Sequence, residues 1–182
     1  SDLAKIAVDP YFSSVNSSET IYDRIYIALE DGSVWTNVSD YGVTTNYRKL
    51  DIEGVKDIVA DGGSAYFLTQ DGTAYSFGEG YNLGYGGAYG DISIMDTPRQ
   101  VMTDVKSVVV EGYTDIATTY FLKTDGSVWA CGGSGYGQLG TRANYITDPV
   151  MLDITDVKEI VVSDCSVQFL KNDDTTWGMG YN

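Results

Sequence analysis

The sequence contains no histidine. That absence removes the commonest general base, the commonest nitrogen ligand for metals and every Ser/His or Cys/His dyad, so a hydrolase of the usual kind is excluded. Cysteine is nearly missing as well. Cys131 and Cys165 are the only two, too few for a disulfide scaffold or a structural zinc site, and sequence alone leaves open whether they bond to each other. Basic residues are few, 11 Lys plus Arg against 26 Asp plus Glu, for a net charge of −15. Such a chain repels phosphate backbones, because nucleic-acid affinity comes mainly from Lys and Arg displacing counterions. Nucleic acid and anionic membranes are therefore not expected partners. No apolar run approaches the roughly 20 residues of a membrane-spanning helix, and the opening SDLAKIAVDPYF lacks the zones of a signal peptide, so the sequence reads as mature or trimmed. No Asp-x-Asp-x-Asp-Gly loop for calcium occurs, and no cofactor is implied.

What is present is an ordinary apolar fraction of 43% in 182 residues, enough to bury roughly 70% of the unfolded-chain surface in one folded unit or one repeat array. Four segments share one pattern: YIALEDGSVWTNV, YFLTQDGTAYSFG, YFLKTDGSVWACG and QFLKNDDTTWGMG. Asp-Gly between alternating apolar runs is the strongest short-range hairpin signal, since tight turns need positive φ and Gly adopts it at little cost. The turns begin at Asp31, Asp71, Asp125 and Asp173. Before the later hairpins stand EGVKDIVADG, TDVKSVVVEG and TDVKEIVVSD, and before the first a shorter LAKIAVD, each with the length of a buried strand. RKLDI, PRQVM and DPVML read as outer strands, with Pro98 and Pro149 at their starts, where a missing N–H is tolerated.

Four short antiparallel strands repeating at intervals of about 50 residues mark the blade of a β-propeller. The expected fold class is all-β, a propeller of four-stranded antiparallel blades, about four in this chain, with approximate repeats 1–50, 51–102, 103–152 and 153–182, the last incomplete. The run Cys131-Gly132-Gly133-Ser134-Gly135-Tyr136-Gly137-Gln138-Leu139-Gly140, following Asp125-Gly126-Ser127-Val128-Trp129, resembles the repeats of the regulator of chromosome condensation family, and Phe77 to Gly86 is a looser copy. The His-Ser usual in that family after the inner strand is missing. Since the family's rings usually have seven blades, the resemblance implies that this chain supplies a partial ring. An open ring exposes apolar blade faces and strand edges. Self-association of two chains, further sequence beyond this one, or a small closed ring of about four blades would each cover them.

A meander places its first-to-second and third-to-fourth connections at one end and its Asp-Gly turns at the other. The first end receives the long loops, about 37 to 47, 79 to 97 and 132 to 148, together with shorter ones near 9 to 21, 61 to 64, 111 to 118 and 163 to 166. Tyr11, Phe12, Tyr41, Tyr47, Tyr81, Tyr85, Tyr89, Tyr113, Tyr136 and Tyr145 fall there, beside Asp40, Glu79, Asp91, Asp96, Glu111, Asp115 and Asp164. Rigid amphipathic rings give contact area at low entropic cost, and acid beside them suits a basic protein surface. The candidate partner-binding residues are therefore Tyr41, Tyr47, Tyr81, Tyr85, Tyr89, Tyr113, Tyr136 and Tyr145. The bland alternative is that these rings lean back on the blades and the acids serve solubility. Trp35, Trp129 and Trp177, with Tyr75 in the remaining repeat, occupy one recurring slot and are expected to pack between blades. Cys131 stands in the slot of Phe77 and Met179, as a small apolar filler.

These readings make the chain a non-enzymatic protein-binding module, extracellular or on a bacterial cell surface. Within the resembled family, inhibition of secreted β-lactamases by one propeller face fits this acidity better than chromatin binding or light sensing. A carbohydrate-binding propeller, with Tyr faces stacked on sugars, and a self-assembling structural repeat are the alternatives.

Overall fold

The computed structural model describes residues 3–13, 20–39, 42–78, 97–113, 116–141, 143–163 and 165–181, and among these every regular element is a β-strand. β1 (Leu3–Ser13), β2 (Thr20–Leu29), β3 (Val34–Ser39) and β4 (Gly42–Lys49) form the first antiparallel sheet. β5 (Val55–Asp61), β6 (Ser64–Thr69), β7 (Ala74–Gly78) and β8 (Arg99–Met102) form the second, and β9 (Val105–Tyr113), β10 (Ile116–Lys123), β11 (Val128–Gly133) and β12 (Tyr145–Met151) the third. β13 (Val157–Ser163), β14 (Ser166–Lys171) and β15 (Thr176–Gly180) make a three-stranded fourth sheet. Each sheet is a meander in sequence order, so each is one blade, and the first strands β1, β5, β9 and β13 stand side by side in series along the array.

The Asp-Gly segments fold as expected. Gly32, Gly72 and Gly126 have φ of +79°, +85° and +82°, the left-handed region that favours glycine. The Asp before each accepts the backbone N–H two residues on, from Ser33, Thr73 and Ser127, and Asp173 does the same for Thr175. In the fourth turn Asp174 takes the glycine position with φ of +66°, a conformation Asp tolerates better than most residues.

Side chains alternate between the two faces of each blade, one toward the preceding blade and one toward the following blade. Among the described residues this produces three apolar clusters. Tyr26, Ala28 and Val34 of blade 1 meet Ile58 and Phe67 of blade 2. Tyr66, Leu68 and Ala74 of blade 2 meet Val108 and Phe121 of blade 3, and Tyr120, Leu122 and Val128 of blade 3 meet Ile160 and Phe169 of blade 4. A Tyr ring edge meets a Phe of the next blade at every joint: Tyr26 on Phe67 at 5.9 Å, Tyr66 on Phe121 at 5.5 Å and Tyr120 on Phe169 at 6.1 Å. Such edge-to-face pairs contribute about 0.5–1.5 kcal/mol beyond their burial. A polar device repeats alongside them. Asp9 accepts the Gly63 N–H at 3.0 Å, Asp61 the Gly112 N–H at 2.7 Å, and Glu111 the Cys165 N–H. A carboxylate of one inner strand thus holds the backbone at or just past the end of the next inner strand.

Several expectations change. The stretch 37 to 47 is mostly strand, β3 and β4, with only 40–41 between them. β2 pairs with β3 over three residues. Beyond that the Asn37 amide replaces the ladder, accepting from the Ile25 N–H at 2.8 Å and donating to the Asp23 carbonyl at 3.0 Å. Pro149 lies inside β12, in the stretch where the β11–β12 register slips, and not at its start. A slip suits proline because no ladder N–H is required there.

The Trp slot faces the preceding blade, and only Tyr75 and Trp129 are partly buried in a joint. Trp35 is 36% exposed because no blade among the described residues precedes its face. Trp177 is 61% exposed although it faces blade 3. Its counterpart Tyr75 is flanked by β8 and Trp129 by β12, whereas among the described residues β15 has no outer strand beside it.

Candidate loop-end binding surface

The Gly-rich run after β11 is a compact, internally bonded loop. The Gly137 N–H donates to the Ser134 carbonyl and the Gly140 N–H to that of Gly137, both at 3.0 Å. The Gln138 side chain accepts the Tyr136 N–H at 2.8 Å. From beneath, the buried Tyr120 hydroxyl donates to the Gln138 carbonyl at 2.8 Å, while Leu139 is driven into the joint with blade 4. Burial raises the Tyr120 phenol well above its ordinary range, with the Glu111 charge adding to the effect, so it stays a neutral donor. The loop is thereby held from inside and leaves Tyr136 outside.

Tyr136 packs edge-on against Tyr181, ring centres 5.7 Å apart and planes at 86°, and both rings are exposed. Tyr181 sits just past β15, its N–H donating to the Cys165 carbonyl at 3.1 Å. A cleft of about 500 Å³ opens along the joint of blades 3 and 4, from Gly140 and Met179 to Asp153 and Ile154, and is lined also by Leu139, Met151, Phe169 and Trp177. Exposed Met151 and Trp177 give its rim an apolar character. The arrangement offers two linked aromatic anchors, Tyr136 on a stiff loop and Tyr181 past β15, the residue type that dominates protein-contact hot spots.

Of the eight sequence-derived candidates, three have described side chains, and these do not gather in one place. Tyr136 is at this surface. Tyr145 begins β12 and is half-buried, and Tyr47 is exposed on β4 of blade 1, two blades away. Tyr113 ends β9, with its side chain outside the described residues. Tyr41, Tyr81, Tyr85 and Tyr89 lie outside the described residues altogether, as do Asp40, Glu79, Asp91, Asp96, Asp115 and Asp164. Glu111 is engaged in the joint to blade 4. Sequence reasoning missed Tyr181. Its signal was the glycine before it, since Gly78 and Gly180 end their third strands as the loop toward that end begins.

Among the described residues no group of three or more His, Cys, Asp or Glu is placed to hold a metal ion. The two cysteines are not joined in a disulfide. Cys131 fills the blade 2–3 joint as expected, and burial pushes its thiol up to about 12, which makes it inert at neutral pH.

No protein-family model matches the chain, and no curated protein matches it. Solved structures do. Human WBSCR16 superposes with a TM-score of 0.68 at 20% identity, over 87% of this chain and 45% of that one. Prp20p from Saccharomyces cerevisiae gives 0.70 at 21% identity, over 99% and 44%. The same yeast protein, named RCC1 (Prp20), bound to Kap60 gives 0.70 at 20% identity, again over 99% and 44%. The chain spans a little under half the length of each of these structures. Four meander blades, a recurring Asp-Gly hairpin and these superpositions give the chain the blade fold of the regulator of chromosome condensation-type β-propellers.

Proposed function

We propose that the chain is a protein-binding propeller segment without catalytic chemistry of its own, which recognises a basic partner protein through its loop end. The observation that carries this reading is the exposed Tyr136–Tyr181 pair, with Tyr136 held on an internally bonded loop. The net charge of −15 supports a basic partner by raising the encounter rate, and disfavours nucleic acid. Prp20p, which shares the fold, is described with its binding to Gsp1p and histones, which supports a protein as the partner class. The finer reading is a secreted bacterial module whose partner is another extracellular protein, in the manner of a β-lactamase-inhibiting propeller.

The test measures binding of the chain to purified core histones and to a purified secreted β-lactamase, each at several salt concentrations. Saturable binding to at least one probe is expected, weakened by salt. The double substitution Tyr136→Ala, Tyr181→Ala should reduce affinity at least tenfold with little change in melting temperature. No binding to either probe, or binding indifferent to both substitutions, contradicts the proposal.

A further inference from the structure

Among aspartyl dipeptides Asp-Gly rearranges most readily, because glycine leaves its own amide nitrogen unshielded and that nitrogen can close on the preceding carboxyl group. The chain has four such steps, Asp31-Gly32, Asp61-Gly62, Asp71-Gly72 and Asp125-Gly126. The fold treats them in two ways. Three are hairpin turns between second and third strands, and there the two reacting groups are turned apart. The glycine N–H donates to a carbonyl three residues back, that of Leu29, Thr69 or Lys123, at 2.8, 3.0 and 3.1 Å. The carboxylate faces the residue after the glycine and accepts the N–H of Ser33, Thr73 or Ser127.

Asp61, at the β5–β6 connection, is set differently. Its Oδ1 accepts the Gly62 N–H itself at 2.8 Å. The amide nitrogen therefore stands beside the carboxyl carbon it would attack, and holding reacting groups together in this way removes much of the entropic cost of ring closure. Its Oδ2 accepts the Gly112 N–H of blade 3 at 2.7 Å, a fixed donor placed where an oxygen gains negative charge as the new bond forms. Asp61 and Gly62 are half-buried and so remain open to water. Related positions meet only part of this arrangement. Asp57 accepts the Ile58 N–H at 3.0 Å, but the β-branched side chain shields that nitrogen. Of the other acids that grip a joint, Asp9 precedes Pro10, which has no N–H, and Glu111 precedes Gly112 but carries one more methylene, so its ring closes far more slowly.

We propose that Asp61-Gly62 is a site of spontaneous isoaspartate formation, with water as the only co-reactant. The Gly62 nitrogen bonds to Asp61 Cγ, and its proton leaves with the hydroxyl of the protonated carboxyl group as water, giving a five-membered succinimide. Water then opens the ring. Attack at Cγ restores aspartate, whereas attack at the main-chain carbonyl leaves the chain running through Cγ with a free carboxylate on Cα. Nothing is oxidised or reduced, and the mass is unchanged overall. The product lengthens the main chain by a methylene where there is no room for it, since even a Cβ on Gly62 would lie 2.9 Å from the Gly112 Cα. The carboxylate also moves, so its grip on Gly112 is lost and the joint of blades 2 and 3 loosens. Ageing of the array thus begins at one joint, whatever partner its loop end takes.

The test holds the folded wild-type chain at neutral pH and physiological temperature for several weeks, with a sample unfolded in guanidinium alongside. Isoaspartate is located by fragmentation mass spectrometry and its total counted with a protein isoaspartyl methyltransferase. In the folded chain it should accumulate at Asp61 several-fold faster than at Asp31, Asp71 or Asp125, and not at Asp57. In guanidinium the four Asp-Gly steps should react at similar rates. The melting temperature of the aged chain should fall in step with the fraction converted at Asp61. Asp61→Glu keeps a carboxylate for the joint, as Glu111 does, and should abolish both the modification there and the loss of stability on ageing. Should that variant fail to fold, the rates at the four wild-type sites decide alone. Isoaspartate forming at the hairpins as fast as at Asp61, or forming at Asp61 more slowly in the folded chain than in the unfolded one, overturns the proposal.

Discussion

At the end of β11 Gly132 holds φ at +98°, and a Cβ there would lie 2.0 Å from the Ala117 carbonyl oxygen. Gly78 and Gly180 repeat the position, with corresponding approaches of 2.3 Å to Gly63 and Cys165. The third strand thus closes on the turn at the start of the second strand, and only glycine permits it. Gly132→Ala should cost about 1–3 kcal/mol from backbone strain alone, read as a lower denaturant midpoint with an unchanged slope. The turn carboxylates act at the same scale. Hydrogen bonds from the Ser33 hydroxyl and N–H hold Asp31 below its ordinary 3.8; the Thr69 and Thr73 groups do this for Asp71, Ser127 for Asp125 and Thr175 for Asp173. A folded pKa below the unfolded one contributes stability above the unfolded value and loses it as pH falls through the folded value. Melting temperature should therefore fall as pH drops below about 4. Asp125→Asn keeps an acceptor for the Ser127 N–H but cannot titrate, so its melting curve should depend less on pH between about 2 and 4.

Among elements, the hairpins and inner strands were legible because their signals are local. Asp-Gly needs only its own turn, and VKDIVAD needs only its own apolar run. Which neighbour a face meets is not local. The recurrence of Trp35, Trp129 and Trp177 in one slot says which way each ring points, but not whether a blade or an outer strand stands there to cover it. Single-tryptophan chains with Phe at the other two positions separate the cases. Acrylamide should quench Trp177 most and Trp129 least, and equal quenching would contradict the described joints. The acids divide along the same line. Glu111 reads as one more loop carboxylate, and only its recurrence with Asp9 and Asp61 in the same slot of the inner strands carries the signal that it belongs to a joint. Tyr47 was misplaced because 37–47 is polar enough to resemble a loop, while Asn37 supplies from its side chain the hydrogen bonds that such a sequence does not advertise.

The three joints place, among the described residues, the Gly-rich connection after β11 at one end and the Asp-Gly hairpin turns at the other. Among the described residues the exposed aromatic pair stands at the loop end, while the turns carry small and acidic residues. Recognition by one end of a stiff array is the central claim, and hydrogen exchange on the chain with and without saturating purified core histones tests it most directly. The account expects amides of Ser134–Gly140 and Met179–Tyr181 to slow several-fold on binding, with the turns at Asp31, Asp71, Asp125 and Asp173 unchanged. Slowing confined to those turns, or none anywhere with histone bound, would contradict it.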